Sequence, residues 1–220
     1  MSTPRLVEVR RNLLRENDVR ARALRERLHA AGVRALSLVS SPGAGKTALL
    51  EALLPRLARQ CRVATLVGDL ATENDARRLR RAGVPVRQIN TGTVCHLEAR
   101  MVEEALADWD LEALDLLLIE NVGNLVCPSG YDLGEDLRLV LASVTEGEDK
   151  PLKYPTIFNT ADVAVITKLD LAEPCGCDLE QLRANIEHVR PGMRVVEVSA
   201  RSGAGLEALL HLIEGRSAGA

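Results

Sequence analysis

A glycine-rich segment between an aliphatic run and a predicted helix constrains the fold of this chain more than any other feature. The segment reads Ser-Ser-Pro-Gly-Ala-Gly-Lys-Thr over residues 40–47, directly after the apolar run 35–40. A strand, a glycine loop and a helix in this order form a cradle whose backbone N–H groups bind phosphate. The sequence therefore predicts a phosphate-binding loop.

The remaining chain alternates short aliphatic runs with helical patterns. Strands are predicted at residues 35–40, 62–67, 86–90, 114–120, 137–144, 163–168 and 194–199. Helices are predicted from residue 46, from about 73, from 95 to 107, at 179–189 and at 206–213, and residues 147–159 are predicted to be a loop. Runs that are apolar on both faces and separated by helices are typical of a parallel sheet covered on two sides. The predicted fold is a three-layer α/β P-loop NTPase with a mostly parallel central sheet, helices on both faces and an N-terminal amphipathic helix.

Each residue type in the glycine-rich loop has a chemical role. The glycines let backbone N–H groups point inward, the lysine places a positive charge at the β- and γ-phosphates, and the threonine hydroxyl is expected to bind magnesium. Ser40 stands where the general pattern has glycine, which a negative φ would allow. The predicted nucleotide-binding residues of the loop are Gly43, Ala44, Gly45, Lys46, Thr47 and Ala48.

Carboxylates for magnesium and for the attacking water stand near the ends of predicted strands. Glu120 closes the aliphatic run 116–119, Asp69 follows the run 63–67, and Asp75 lies near a helix start. The alternatives are a helix cap for Asp69 and a solvated acid for Asp75. The predicted magnesium site is Thr47, Asp69, Asp75 and Glu120, and the predicted catalytic residues are Lys46, Asp69 and Glu120.

Two later segments predict which base is bound. Asp170, in Thr-Lys-Leu-Asp at residues 167–170, can accept the ring N–H and the exocyclic amine of guanine, while the Lys168 stem covers the ring. Downstream, Ser199, Ala200 and Arg201 close the last predicted strand, where backbone amides can contact the guanine oxygen. The sequence thus favours GTP and GDP over adenine nucleotides and predicts a GTPase.

Cysteine and histidine residues predict a metal site beside the nucleotide. Cys95 and His96 are adjacent, and Cys127 lies seven residues beyond Glu120. Two thiolates and an imidazole suit Ni²⁺ or Zn²⁺ and leave coordination positions open. Since segment 120–127 begins at the γ-phosphate, hydrolysis is expected to move Cys127 and change metal affinity. A core thiol and a satisfied surface histidine are the alternatives. The remaining cysteines are expected to be core or incidental loop thiols: Cys61, Cys175 and Cys177.

Length and charge limit the domain organisation and the partners. The 220 residues, 46% of them hydrophobic, are enough for one substantial core. We divide the chain into an N-terminal helical extension, residues 1–33, and a P-loop GTPase domain, residues 34–220. A net charge of −3 gives no general attraction to nucleic acid or anionic lipid, and no run approaches the roughly 18 apolar residues of a membrane span. A cytoplasmic protein without nucleic-acid or membrane partners is expected.

Together these motifs closely resemble the HypB family of hydrogenase nickel-incorporation GTPases. The likeness runs from about residue 35 to 210 and is carried by residues 40–47, 68–77, 90–96, 120–128 and 145–155. The resemblance implies a GTP- and metal-linked homodimer that supplies nickel to the NiFe-hydrogenase large-subunit precursor together with a HypA-type accessory protein. It also implies that Cys95, His96 and Cys127 form the metal site and that Lys150 or Lys153 reaches the neighbouring subunit's nucleotide. The chain lacks the N-terminal cysteine-rich motif and the histidine-rich segment of many members, so nickel storage is not expected.

Three other functions fit parts of the sequence. A urease-type metallochaperone GTPase shares a related phosphate loop, but its Cys-Pro-His motif differs from the adjacent cysteine and histidine here. A small-molecule kinase with Asp69 or Glu120 as catalytic base would leave residues 168–170 unexplained. A zinc-stabilised binding module with degenerate hydrolysis is the third alternative.

Overall fold

Seven parallel strands form the central sheet. The structure, a computed structural model, describes the backbone of residues 3–69 and 73–215 and the side chains of these ranges from residue 12 onward. The strands are β1 (Arg34–Ser40), β2 (Val63–Asp69), β3 (Val86–Asn90), β4 (Leu116–Glu120), β5 (Leu137–Ser143), β6 (Val163–Thr167) and β7 (Arg194–Glu197). Their order is β3-β2-β4-β1-β5-β6-β7, and each neighbouring pair is parallel. All carboxyl ends therefore meet at one edge, where ligands bind in such sheets.

Helices cover both faces of the sheet. They are α1 (Thr3–Ala30), α2 (Lys46–Leu57), α3 (Asn74–Arg80), α4 (Ala99–Ala105), α5 (Lys150–Lys153), α6 (Pro155–Thr160), α7 (Leu179–Val189) and α8 (Leu206–Ile213). Along β4, Leu116 and Leu118 join the core beneath α2, α3 and α8, whereas Leu117 and Ile119 join the core beneath α1 and α4. This alternation follows from the period of two in a strand. The predicted three-layer α/β fold is confirmed.

Helix α1 packs against the sheet through its C-terminal half. Leu24 and Leu28 are buried, whereas Leu13 is exposed. A polar residue, Asn17, is buried on this helix instead. No helix in the described ranges is long and apolar enough to cross a membrane.

Two local predictions are wrong. The helix predicted to open at residue 95 begins at Ala99, and residues 91–98 form a loop in which the Leu97 N–H bonds to the Asn121 side chain. The segment 147–159, predicted to be a loop, contains α5 and α6. Pro151 and Pro155 lie in the first turns of these helices, where a missing N–H costs nothing and the fixed φ favours the helix.

Candidate nucleotide and metal site

The glycine-rich loop connects the end of β1 to the start of α2. Gly43 and Gly45 have φ values of 76° and 99°, a region that favours glycine. The Lys46 side chain is buried, and its Nζ donates to the Ser40 hydroxyl over 2.9 Å. Ser40 in turn donates to the Ser41 carbonyl over 2.7 Å. The serine in place of the usual glycine therefore positions the lysine that the loop directs at phosphate.

A hydroxyl and a buried carboxylate form the part of the site that fits magnesium. The Thr47 hydroxyl donates to Glu120 Oε1 over 2.7 Å, and Glu120 is only 3% exposed. Among the described residues its Oε2 atom is buried without a hydrogen-bond partner. Burial raises the pKa of Glu120 to about 7, although the positive charge of Lys46 opposes this rise. An unsatisfied hard oxygen beside a hydroxyl fits a magnesium ion, which would supply the missing positive charge.

A cavity of about 530 Å³ lies over the loop and brings the predicted carboxylates together. Asp69, Asp75 and Glu120 all line it, together with Arg78 and Gly123. Arg78 is not among the site residues predicted from the sequence. Its guanidinium pairs with Glu51 over 2.5 Å and with Asp75 over 3.4 Å. The spacing of Arg78 three residues after Asp75, one turn along a helix, was the available signal.

A second cavity of about 200 Å³ adjoins the first and contains the predicted base-recognition residues. It is lined by Ala48, Lys168, Asp170, Ala200, Arg201 and their neighbours, and Lys168 lines both cavities. The Ser199 hydroxyl is not in the lining but donates to Asp170 Oδ1 over 2.5 Å, which orients the carboxylate. The Thr167 hydroxyl donates to the Ala44 carbonyl over 2.7 Å and so ties the base-recognition segment to the phosphate loop.

The two lysines of α5 lie outside both cavities. Lys153 is exposed, and its Nζ bonds to Asp149 over 2.6 Å. Lys150 pairs with Glu146 over 3.2 Å, and Glu146 also accepts a hydrogen bond from the Ser41 hydroxyl in the phosphate loop. Contact of Lys150 or Lys153 with a neighbouring subunit's nucleotide remains a prediction.

The predicted metal ligands converge. The sulfurs of Cys95 and Cys127 are 2.7 Å apart, His96 Nδ1 is 4.0 Å from the Cys95 sulfur, and one ligand atom from each residue lies within 4.8 Å of the others. The His96 ring packs on Tyr131 with 4.0 Å between ring centroids. These three residues are the one group of this kind in the described parts of the chain, and Cys175 and Cys177 belong to no other.

The protonation chemistry of this cluster suits a transition metal. Burial lowers the pKa of His96, which favours the neutral imidazole that binds metals. The neighbouring Cys127 thiol, followed by burial, raises the pKa of Cys95. Two sulfurs this close resist becoming thiolates together unless a cation lies between them. The donor set therefore fits Ni²⁺ or Zn²⁺.

One backbone segment joins the nucleotide cavity to the predicted metal ligands. After Glu120, the Asn121 side-chain oxygen accepts the N–H of Leu97 over 3.0 Å, and the Asn124 amide donates to the Cys95 carbonyl over 3.3 Å. Gly123 lies against the phosphate loop, since an added Cβ would be 3.0 Å from the Cα atom of Pro42. Segment 120–127 thus contacts the phosphate loop, is bonded to the loop carrying Cys95, and ends at Cys127, a predicted metal ligand. Neither asparagine is among the site residues predicted from the sequence.

The buried carboxyl gives a pH prediction for the nucleotide- and magnesium-free protein. Because the pKa of Glu120 is raised from 4.5 to about 7, the folded state retains a proton that the unfolded state releases between these values. The contribution of the protonated Glu120 carboxyl to the free energy of unfolding is complete below pH 4.5 and is lost as the pH rises through 7. We expect Glu120→Gln to gain about 2–4 kcal/mol of unfolding free energy relative to the parent between pH 4.5 and pH 8.5 in urea titrations. Glu207→Gln, at an exposed carboxylate, should show no such gain.

A glycine-rich loop at the end of a parallel strand defines the class of P-loop nucleotide-binding proteins, and two thiols and an imidazole beside it form a candidate metal site. The family model of the CobW/HypB/UreG nucleotide-binding domain matches residues 34–197. The hydrogenase maturation factor HypB of Azotobacter vinelandii is 47% identical over 97% of this chain and 71% of the relative. HypB of Escherichia coli strain K12 is 44% identical over 97% of this chain and 74% of the relative.

Solved structures agree with these relatives. The crystal structure of HypB from Helicobacter pylori in complex with nickel superposes with a TM-score of 0.86 at 40% identity, over 93% of this chain and 99% of that chain. HypB from Archaeoglobus fulgidus gives a TM-score of 0.85 at 39% identity, over 91% of this chain and 98% of that chain. The chain belongs to the HypB family of hydrogenase maturation factors.

Proposed function

We propose that this chain hydrolyses GTP and uses the nucleotide state to control nickel at Cys95, His96 and Cys127, for delivery to a NiFe-hydrogenase large-subunit precursor. The proposal depends above all on segment 120–127, which leaves the nucleotide cavity at Glu120 and ends at Cys127. This segment alone is sufficient to connect the nucleotide cavity with the proposed metal ligands in the described chain. Homodimerisation and a HypA-type accessory protein, which the resemblance implied, complete the proposal.

The base-recognition residues support GTP. Asp170 lines the smaller cavity as a carboxylate that can accept the two donors of guanine, which adenine does not present as a pair. Ser199 orients this carboxylate through a 2.5 Å hydrogen bond. Lys168 adopts the left-handed conformation with φ of 57° and lines both the base cavity and the phosphate cavity. The alternative function of a small-molecule kinase does not explain this arrangement of Asp170, Ser199 and Lys168.

Residues that line the larger cavity are suited to neutralise the phosphate charge, bind magnesium and orient the attacking water. Lys46 would neutralise the β- and γ-phosphates, and Thr47 with Glu120 would hold magnesium, which supplies further charge neutralisation when bound. Asp69 and Asp75 line the same cavity on the side of β2 and α3. We propose that one of these carboxylates orients the attacking water.

Coupling follows from the contacts of segment 120–127. A γ-phosphate in the larger cavity would contact the backbone around Gly123, which already lies against Pro42 of the phosphate loop. Any shift there would pass to Cys127 along the backbone and to Cys95 through the Asn124 hydrogen bond. A coupling free energy of about 1–3 kcal/mol would change metal affinity roughly 5- to 150-fold. Nickel is favoured as the delivered ion because the similar Helicobacter pylori structure is a nickel complex.

The experiment that tests the proposal measures nickel affinity in three nucleotide states. The purified protein is titrated with Ni²⁺ against a chromophoric chelator in the apo, GDP and non-hydrolysable GTP-analogue forms, with dimerisation followed by light scattering. We expect affinities that differ at least about fivefold between the GDP and GTP-analogue forms. Phosphate release from GTP, ATP and GTP with nickel is measured in parallel. Equal nickel affinity in all three states, or faster hydrolysis of ATP than of GTP, would contradict the proposal.

A further inference from the structure

The first turn of α4, directly after the metal ligands, is capped from another helix. Glu98 is at the N-cap position of α4, with φ of −119° and ψ of 155°, but its side chain makes no capping hydrogen bond. The Ala99 N–H instead donates to the Asn17 side-chain oxygen over 2.9 Å. The Asn17 amide also donates to the Asp132 carbonyl over 2.8 Å, and Asn17 is only 6% exposed. A residue of α1 thus performs the capping that the N-cap side chain usually performs.

This arrangement leaves the Glu98 carboxylate free to face His96. Glu98 Oε1 lies 3.7 Å from His96 Nε2, while His96 Nδ1 lies 4.0 Å from the Cys95 sulfur. Within the described chain Nε2 is buried and makes no hydrogen bond. The two nitrogens of one imidazole therefore face different groups, a metal-binding thiol on one side and a carboxylate on the other.

We infer that Glu98 is a positioning residue of the metal site, which accepts the Nε2–H of His96 and directs Nδ1 at the metal, and that Asn17 keeps Glu98 available for this role. The inference rests on the proposed metal site. Movement of about 0.7 Å would bring the 3.7 Å separation to ordinary hydrogen-bond length. A carboxylate on the outer nitrogen fixes the tautomer and orientation of a metal-binding histidine and raises its basicity.

Contacts on the ring face add to this positioning. Tyr131 packs on His96 at 4.0 Å between ring centroids, which limits rotation of the imidazole. The Tyr131 backbone is itself held, because its carbonyl accepts from Arg138 over 2.6 Å. Asn17 reaches the next residue along, Asp132, through the hydrogen bond to its carbonyl. The ring is therefore restrained on its face by Tyr131, and Glu98 is the group that can restrain its outer nitrogen.

Substitution of Glu98 tests the inference through metal affinity and through a spectrum. We expect Glu98→Ala to weaken Ni²⁺ binding by about 10- to 100-fold, with Glu98→Gln intermediate because its amide oxygen can still accept a hydrogen bond. In the Co²⁺-loaded protein the thiolate charge-transfer band should persist while the d–d bands shift, because the sulfurs remain and the imidazole is displaced. Far-UV circular dichroism checks folding, and Glu98→Gln carries the test if Glu98→Ala does not fold.

The control removes the same charge from the same helix without touching the histidine. Glu104 is exposed on α4 and pairs with Arg100 over 2.9 Å. Glu104→Ala should leave nickel affinity and the Co²⁺ spectrum unchanged, whereas Asn17→Ala should weaken nickel binding by releasing the Ala99 N–H. Parent-like affinity and d–d bands in Glu98→Ala, or an equal loss in Glu104→Ala, would overturn the inference. Failure of the proposed function would be seen in a different measurement, because the nickel affinity of the parent protein would then be the same in every nucleotide state.

Discussion

Lys46→Ala is expected to lower GTP affinity at least about 100-fold while the chain remains folded. Lys46 is buried and lines the larger cavity, where the phosphates of GTP would bind. Burial lowers its pKa, and the negative charge of Glu120 is the largest influence opposing that change. The triphosphate of GTP would place several formal negative charges near the Lys46 ammonium, which otherwise has mainly the charge of Glu120 to stabilise it. Loss of the ammonium therefore removes far more free energy of binding than of folding.

The fold should survive this substitution because the neighbouring acid can change its protonation. Burial already raises the pKa of Glu120 to about 7, and loss of the Lys46 charge raises it further. At neutral pH the carboxyl would therefore be protonated rather than left as an unpaired buried charge. Isothermal titration with a GTP analogue measures the affinity, and a thermal melt by circular dichroism checks folding.

The control for Lys46 is a cation on the same helix that points elsewhere. Arg56 pairs with Glu207 over 2.5 Å at the surface. Arg56→Ala removes a positive charge from α2 and should bind the GTP analogue like the parent. Retained GTP affinity in Lys46→Ala would show that the glycine-rich loop is not the phosphate site.

The strands and the loop chemistry could be predicted from sequence because they depend on local patterns. Residues 116–119 are aliphatic at four consecutive positions, and the structure buries them against helices on both faces. Lys46 and Thr47 follow the glycines at a fixed spacing, so their direction is set once the strand and helix are assigned. Ligand chemistry and the family resemblance predict a metal site at Cys95, His96 and Cys127, and the structure brings the ligand atoms of these residues within 4.8 Å of one another.

The supporting contacts could not be predicted because they join residues far apart in the chain. The Asn17 side chain bonds to the backbone of Ala99, 82 residues away, and no spacing rule connects the two. Asn121 likewise bonds to Leu97, 24 residues earlier, in the loop that precedes the helix. In both cases a side-chain amide satisfies a distant backbone donor, which only the folded arrangement reveals.

The second large effect is expected for Cys127→Ala, which should weaken Ni²⁺ binding at least about 100-fold and remove its dependence on nucleotide. Loss of a direct thiolate ligand should exceed the roughly 10- to 100-fold effects of outer groups. Cys127 is also the proposed ligand at the end of segment 120–127, and we expect this backbone connection to transmit the nucleotide state, rather than the hydrogen bonds that Asn121, Asn124 and the Asp69 carbonyl make to the loop 91–98. Nickel titrations in the GDP and GTP-analogue forms measure both quantities.

Cys177→Ala provides the matched control, since it removes another partly buried thiol that belongs to no ligand cluster in the described chain. Its nickel affinity and nucleotide dependence should equal those of the parent. Cys127→Ser keeps the side-chain size and replaces the soft sulfur with a poor nickel ligand, so it should behave like Cys127→Ala. Parent-like nickel affinity in both Cys127 variants would remove this thiol from the metal site. If nickel binding is weaker but still differs between the GDP and GTP-analogue forms, the nucleotide acts on the metal through the loop that carries Cys95 and His96, and not through Cys127.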